Sequence, residues 1–400
     1  MKLYAQSGAQ AGEKITAGLN AGVLDGVIYG AKEISNDKLR SELEQIAADW
    51  PDAGRFFDPH YFATLIAAQP GARLGYLIGD KGHGYFRAHM RRDLEQVTPV
   101  REDIRACLRF QAALPVTGLI SPNIVVRRNL DSIEAVIAKS FIRHAPEIAR
   151  EVAPDRELYV TLAISQAALT DRNELRAFLQ EITELDDPPA GFYLLLEKLD
   201  TTPQPSLTER DCLSRWMLVN HTLKVSGFKI INGYTDLLAP YIAATGADAV
   251  ATGWFGTLKC FSLRKFEPND TIASRAVPRY TSASLLKSIR HAELHDLRDH
   301  FPEILNNLPS DAFYPIIDGS RPDLTAEAVQ NWEGIRAMIA KCERPDVSAS
   351  LDACSTTLDE AGELYSAINT IAYPLRERSN NEHIAAIRDE LSEFSNLAEL

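Results

Sequence analysis

The chain has 400 residues, 45 % of them apolar, and a net charge of −13; this suffices for one large α/β core or two domains and argues against a protein that coats nucleic acid non-specifically. No run of about 18 apolar residues occurs, and Met1–Lys14 lacks the basic and apolar regions of a signal peptide, so a cytoplasmic protein with no membrane span is expected. Cys107, Cys212, Cys260, Cys342 and Cys354 are scattered, which gives no zinc-knuckle spacing and points to buried thiols in a reducing compartment.

In chain order, Lys2–Gln6 alternates as a strand, and Gly12–Leu24 carries Ile15, Leu19 and Val23 at helical spacing. Gly26–Ile34 reads as a second strand, after which Ser35-Asn36-Asp37 caps a helix over Lys38–Asp49. The third strand ends at Asp58, because Pro59 pushes the preceding residue out of helical geometry. A long insertion over about 70–116 follows, glycine-rich at first, with a helix predicted over Arg101–Ala113. Gly118–Val126 is the fourth strand, Asp131–Val152 an amphipathic helix, Leu158–Ile164 the fifth strand and Asn173–Leu185 the next helix. Gly191–Glu197 is the most apolar run, as expected of a strand covered on both faces. Ser206-Leu207-Thr208-Glu209 has capping-box spacing and opens a helix that stops at Gly227. Lys229–Asn232, the helix Thr235–Thr245 closed by Gly246, and Ala247–Ala251 then read strand, helix, strand.

About eight strands alternating with helices have the periodicity of a closed barrel, and no strand leads into GxGxxG, which disfavours an open doubly wound sheet. The expected fold is α/β, a closed (β/α)8 TIM-type barrel over residues 1–265 with a helical C-terminal appendage over 266–400. Ser282–His300, Thr325–Lys341, Thr357–Tyr373 and Glu382–Leu400 are the helices predicted there, one of them completing the barrel.

In such a barrel the C-terminal strand ends face the ligand. They nominate Gln6, Lys32, Asp58, His60, Asn123, Ser165, Glu197, Lys198, Asn232 and Thr252. Asp58, Glu197 and Lys32 are the catalytic candidates, since an ionisable group at the edge of a buried strand is either paired or tuned for acid, base or nucleophilic work. Asn232-Gly233 and Thr252-Gly253 end the last two strands, where barrels hold phosphate on backbone N–H groups. Arg87, Arg91 and Arg92, Arg127 and Arg128, and Lys259, Arg264 and Lys265 lie in loops of the same face, and point to an anionic small molecule or a nucleic-acid backbone. His83 and His89 have no Cys or acidic partner at metal spacing; His291 and His295, at i, i+4 among Glu293, Asp296 and Asp299, have a spacing that could bind a metal but read as a polar surface helix, so no metal is expected. No P-loop or nucleophile elbow occurs, and the sequence leaves any cofactor unknown.

Phe228–Lys265 resembles the closing part of tRNA-guanine transglycosylase-like barrels, in which a strand ending in glycine, a short helix and a Gly-x-Asp strand lead to the nucleophilic aspartate. Gly233, the helix Leu237–Ala244 and Gly246-Ala247-Asp248 follow that order, over about a tenth of the chain. The nucleophile's position falls at Ala251-Thr252, and the family's zinc-binding cysteines are missing. Gly-Ala-Asp-Ala-Val before a glycine also resembles the last strand of many phosphate-binding barrels. The resemblance implies a barrel with relocated chemistry, or one that binds without base exchange. Two classes therefore stay open: an enzyme, divergent and transglycosylase-like, acting on an anionic nucleoside, nucleotide or nucleic-acid-type ligand, and a non-catalytic scaffold binding a protein partner through its C-terminal helices.

Overall fold

A computed structural model describes residues 1–198, 211–268 and 277–400. Its strands are β1 (Lys2–Ser7), β2 (Gly26–Gly30), β3 (Gly54–Asp58), β4 (Gly118–Ile120), β5 (Val125–Val126), β6 (Glu157–Ser165), β7 (Gly191–Glu197), β8 (Lys229–Asn232) and β9 (Ala249–Thr252). They form one parallel sheet in the order β3-β2-β1-β9-β8-β7-β6-β4, with β5 resuming the line of β4 along β6. This is an eight-stranded, nearly closed parallel barrel, the (β/α)8 architecture that the strand rhythm indicates. As expected, β7 and β8 are parallel neighbours.

Side chains finish the ring where the ladder does not. Between β3 and β4 the Thr117 N–H donates to the Arg55 carbonyl at 2.8 Å, while the Thr117 hydroxyl accepts from the Arg55 N–H at 2.9 Å. A threonine oxygen thus replaces a strand carbonyl at the seam, which satisfies backbone groups that would otherwise be left unpaired. Inside the barrel, Tyr4, Phe56 and Tyr159 pack in tilted and edge-to-face contacts with ring centroids 5.5 and 5.6 Å apart and plug the N-terminal end. With that end filled, the C-terminal mouth is the part of the axis left for polar side chains.

The helices are α1 (Lys14–Asn20), α2 (Asn36–Asp49), α3 (Val97–Ala112), α4 (Ile133–Val152), α5 (Arg172–Thr183), α6 (Cys212–Val225), α7 (Ala239–Ala243), α8 (Gly256–Lys259), α9 (His291–Leu297), α10 (Leu324–Cys342), α11 (Val347–Thr370) and α12 (Glu382–Ala398). Helix α3 packs on α4 and fills the slot between β3 and β4. It is therefore a barrel helix, and the irregular stretch ends before it. Helix α10 packs between α7 and α1 and is the eighth barrel helix. Its Trp332 indole N–H donates to the Thr252 carbonyl at 2.9 Å, and Arg336 Nη2 reaches Asp25 at 2.6 Å. Helices α11 and α12 form an outer layer on α10, α7 and α6. There Glu390 caps α6 by accepting from the Asp211 and Ser214 N–H groups at 2.7 and 2.8 Å.

Three local expectations differ from the structure. The second strand stops at Gly30, and Ala31–Ser35 turns back, with the Glu33 N–H bonded to the Gly30 carbonyl. The helix predicted over Ser282–His300 is an antiparallel hairpin, β10 (Arg279–Ser282) and β11 (Lys287–Arg290), followed by α9. Leu285 and Leu286 sit in its turn, Leu286 at φ +52, and Tyr280 pairs with Ile289 across the ladder, so two turn leucines imitated a helical stripe. The helix over Thr235–Thr245 is a tight turn followed by the five residues of α7. The proposed Ser206–Glu209 capping box lies outside the described residues.

Candidate functional site

The register aligns Gln6 with Ile28, Ile28 with Phe56, and Gly30 with Asp58, so Gln6 and Asp58 both point inward at the mouth. From the far side, β7 contributes Tyr193, and the residue after Gly233 contributes Tyr234. Asp58 Oδ2 accepts from the Tyr193 hydroxyl at 3.1 Å and the Tyr234 hydroxyl at 3.5 Å, while Oδ1 accepts from the His60 N–H at 3.0 Å. Lys265 Nζ donates to the Tyr234 hydroxyl at 3.0 Å. Asp58, His60 and Tyr193 are all within 1 % of full burial.

The tautomer of His60 follows from its neighbours. Its Nδ1 accepts the Lys32 N–H at 3.2 Å, so the proton sits on Nε2, 3.2 Å from the Tyr234 oxygen. Burial, then Lys265 and Lys32, hold this imidazole well below its usual pKa, so it is neutral. Burial pushes Asp58 the other way, up to about 6, although Lys265 and the donors above oppose the rise. Burial brings Lys265 down to about 8 against the attraction of Asp58. The result is a neutral imidazole, a reluctant carboxylate and a reluctant ammonium joined through one phenol.

Two glycines make the arrangement possible. A Cβ on Gly30 would lie 2.6 Å from the His60 ring, and one on Gly233 would lie 2.6 Å from the Tyr193 hydroxyl. Neighbouring backbone is strained: His60, Tyr234 and Asp236 have φ of 48, 58 and 44°, in the left-handed region that non-glycine residues avoid.

The residues nominated from sequence divide into those at this cluster and those elsewhere. Lys32 lies beside it: its Nζ donates to the Lys265 carbonyl at 2.7 Å and sits over the Phe266 ring. Glu197 is buried one step further up β7, paired with Arg127 Nε at 3.2 Å, and burial raises its pKa. Asn232 points outward and donates to Asn220 of α6 at 2.6 Å. Asn123 bridges the break between β4 and β5, donating to the Thr161 and Ala138 carbonyls. The Gly233 and Gly253 N–H groups are already given to the Leu194 and Leu258 carbonyls. Thr252 aligns with Ala5 on the outer face of the sheet, whereas Ala251, aligned with Tyr4, takes the inward position. The phosphate cradle drawn from these four residues is thus not assembled in this arrangement. Asp248 of the Gly-x-Asp sequence lies at the opposite, N-terminal end of β9, where it accepts from the Ile230 N–H and from Lys224.

Among the basic loop residues, Arg87 pairs with Glu102, Arg91 with Glu95, and Lys259 with Asp236 and Asn331, so much of their charge is met within the chain. Arg264 is exposed. Sequence reasoning passed over Tyr193 and Tyr234 and treated Lys265 only as loop charge. Tyr193 is the one hydroxyl in the run GFYLLLE, and that was its available signal.

No family model matches the chain, and no curated protein matches it in sequence. Among the described residues, no helix is long and apolar enough to cross a membrane, and no group of three His, Cys, Asp or Glu side chains is placed to hold a metal ion.

Proposed function

We propose that the protein is an enzyme acting at the C-terminal mouth of its barrel on an anionic, nucleoside-type ligand, with Asp58 as the proton-transferring or nucleophilic carboxyl group. The observation that supports this is the setting of Asp58: an enclosed strand-end carboxylate whose partners are two phenols, a backbone N–H and, at 3.5 Å, Nε2 of the neutral His60, with its cation one phenol away. Its hydrogen-bond donors carry no charge, so none of them fixes it as a permanent anion. A carboxyl group titrating near 6 can both take and return a proton at neutral pH.

The anionic character of the ligand rests on Lys198, Lys265 and Arg264, which follow the strand ends around the mouth, and on Lys32 and Arg127, each of which also meets a carboxylate of the chain, Glu33 and Glu197. Its nucleoside character rests on the resemblance of Phe228–Lys265 to transglycosylase-like barrels. If the reaction is glycosyl transfer, the attacking carboxylate comes from β3, because the inward position of β9 is the methyl of Ala251. Glu197 is the second carboxyl group, and its pairing with Arg127 suits it to ligand contact rather than proton transfer. The scaffold reading has less support, since α11 and α12 are packed on α6, α7 and α10.

The test offers nucleosides, nucleotides and a short RNA to the purified protein and follows released or exchanged groups by mass spectrometry. Asp58→Asn should fold and lose about a hundredfold or more of any turnover found. Undiminished turnover in that variant overturns the assignment.

A further inference from the structure

Lys265 is built differently from a lysine that only balances charge. Phe62, Tyr234, Phe261 and Phe266 surround its Nζ, with ring centroids 4.6 to 6.0 Å away. No carboxylate lies within ion-pair distance of it among the described residues; its shorter hydrogen bond goes to the Tyr234 hydroxyl, which leads on to Asp58 Oδ2, and His60 Nε2 lies 3.5 Å from it. A second ammonium, that of Lys32, is bonded to its own carbonyl. A dry aromatic pocket and a neighbouring cation are the two conditions that leave a lysine amine unprotonated and nucleophilic.

We propose that Lys265 is a covalent nucleophile that forms an imine with an anionic aldehyde or ketone. This rests on the reading of the mouth as a ligand site, and the open form of a phosphorylated pentose is the member of that class that fits a nucleoside-type ligand. The neutral amine forms the C–N bond as the carbonyl π pair moves to oxygen, which takes a proton from the Tyr234 hydroxyl. The nitrogen then returns one proton to the Tyr234 oxygen, which hands it to the hydroxyl group; that group leaves as water as the nitrogen lone pair forms the C=N bond, and the remaining N–H proton restores the phenol, held in place by its hydrogen bond to Asp58. Amine and carbonyl become imine and water, with no oxidant or reductant. A lysine brought down to about 8 has roughly a tenth of its amine free at pH 7, which supports such a role.

The experiment incubates the protein with ribose 5-phosphate and sodium borohydride near neutral pH, then locates reduced adducts by mass spectrometry of peptides. The expected result is one adduct on Lys265, formed at least tenfold faster than on any surface lysine. Lys265→Arg, which keeps a cation beside Tyr234, should lose that fast adduct. Labelling confined to surface lysines overturns the proposal. Thermal unfolding with ribose 5-phosphate and no borohydride separates it from the broader reading. Saturable stabilisation of both proteins without a Lys265 adduct keeps the mouth as a ligand site and discards the imine; neither stabilisation nor adduct discards the phosphorylated sugar as well.

Discussion

Replacing Gly233 by alanine should damage the site through a single contact. The new Cβ would lie 2.6 Å from the Tyr193 hydroxyl and 2.7 Å from Leu195 Cδ2, where ordinary contacts begin at 3.4 Å. Roughly 0.8 Å of movement is needed, and the close-packed interior offers little room for it. Tyr193 is fully buried. Its hydroxyl must therefore tilt, and the 3.1 Å bond to Asp58 is lost. Overpacking costs about 1–3 kcal/mol and a lost bond to a charged group about 1.5–3 kcal/mol, so Gly233→Ala should cost about 3 kcal/mol or more. Tyr193→Phe alone loses the bond but creates the space. The double variant should then be at least about 1 kcal/mol more stable than the sum of the two losses predicts, read from urea unfolding of all four proteins. Additive losses would refute the claim that this glycine exists to admit that hydroxyl.

Two further outcomes follow from buried groups. A folded-state pKa of about 6 for Asp58, above the unfolded value of 3.8, means that the folded protein binds the proton more tightly, so this group's stabilisation is complete below about pH 4 and is lost as pH rises through 6. About two units correspond to about 3 kcal/mol. In a Lys265→Met background, which removes the lysine's own titration, Asp58→Asn should therefore gain at least about 2 kcal/mol in relative stability between pH 4 and pH 7; chemical denaturation at the two pH values checks this, and a pH-independent difference would show that Asp58 titrates normally. Thr252 has a fully buried hydroxyl without a hydrogen-bond partner among the described residues, so Thr252→Val should stabilise by about 1 kcal/mol and leave turnover unchanged; a fall in turnover would return β9 to the chemistry.

The barrel could be read because its signals are local. Apolar runs such as Gly191–Glu197 and Lys229–Asn232 are bounded by glycine and separated by helical stripes, and their ends come out at the residues expected. Asp58 was legible because Pro59 marks the end of its strand. Its partners were not, because Tyr193 sits inside an apolar run and Lys265 lies more than two hundred residues away in sequence, so only the closed ring brings them together. Strand ends also misled by one residue. Asn232 and Thr252 end their strands, but alternation turns both outward, and a reading without register cannot tell that face from the mouth. The β10–β11 hairpin was hidden by a turn whose two leucines match helical spacing.

The position of α10 bears on how the chain emerges during synthesis. The strand it seals ends at Thr252, but the helix begins only at Leu324, after the β10–β11 hairpin and α9. A nascent chain therefore has all eight barrel strands before it has Trp332, whose ring packs beside Gly18 of α1, and before the cover that buries Tyr241 of α7. Until then a groove between the first and seventh barrel helices is open to solvent and to other unfinished chains. At about 5–20 residues per second that interval lasts several seconds, long enough for a chaperone to be the first thing to occupy the place of α10.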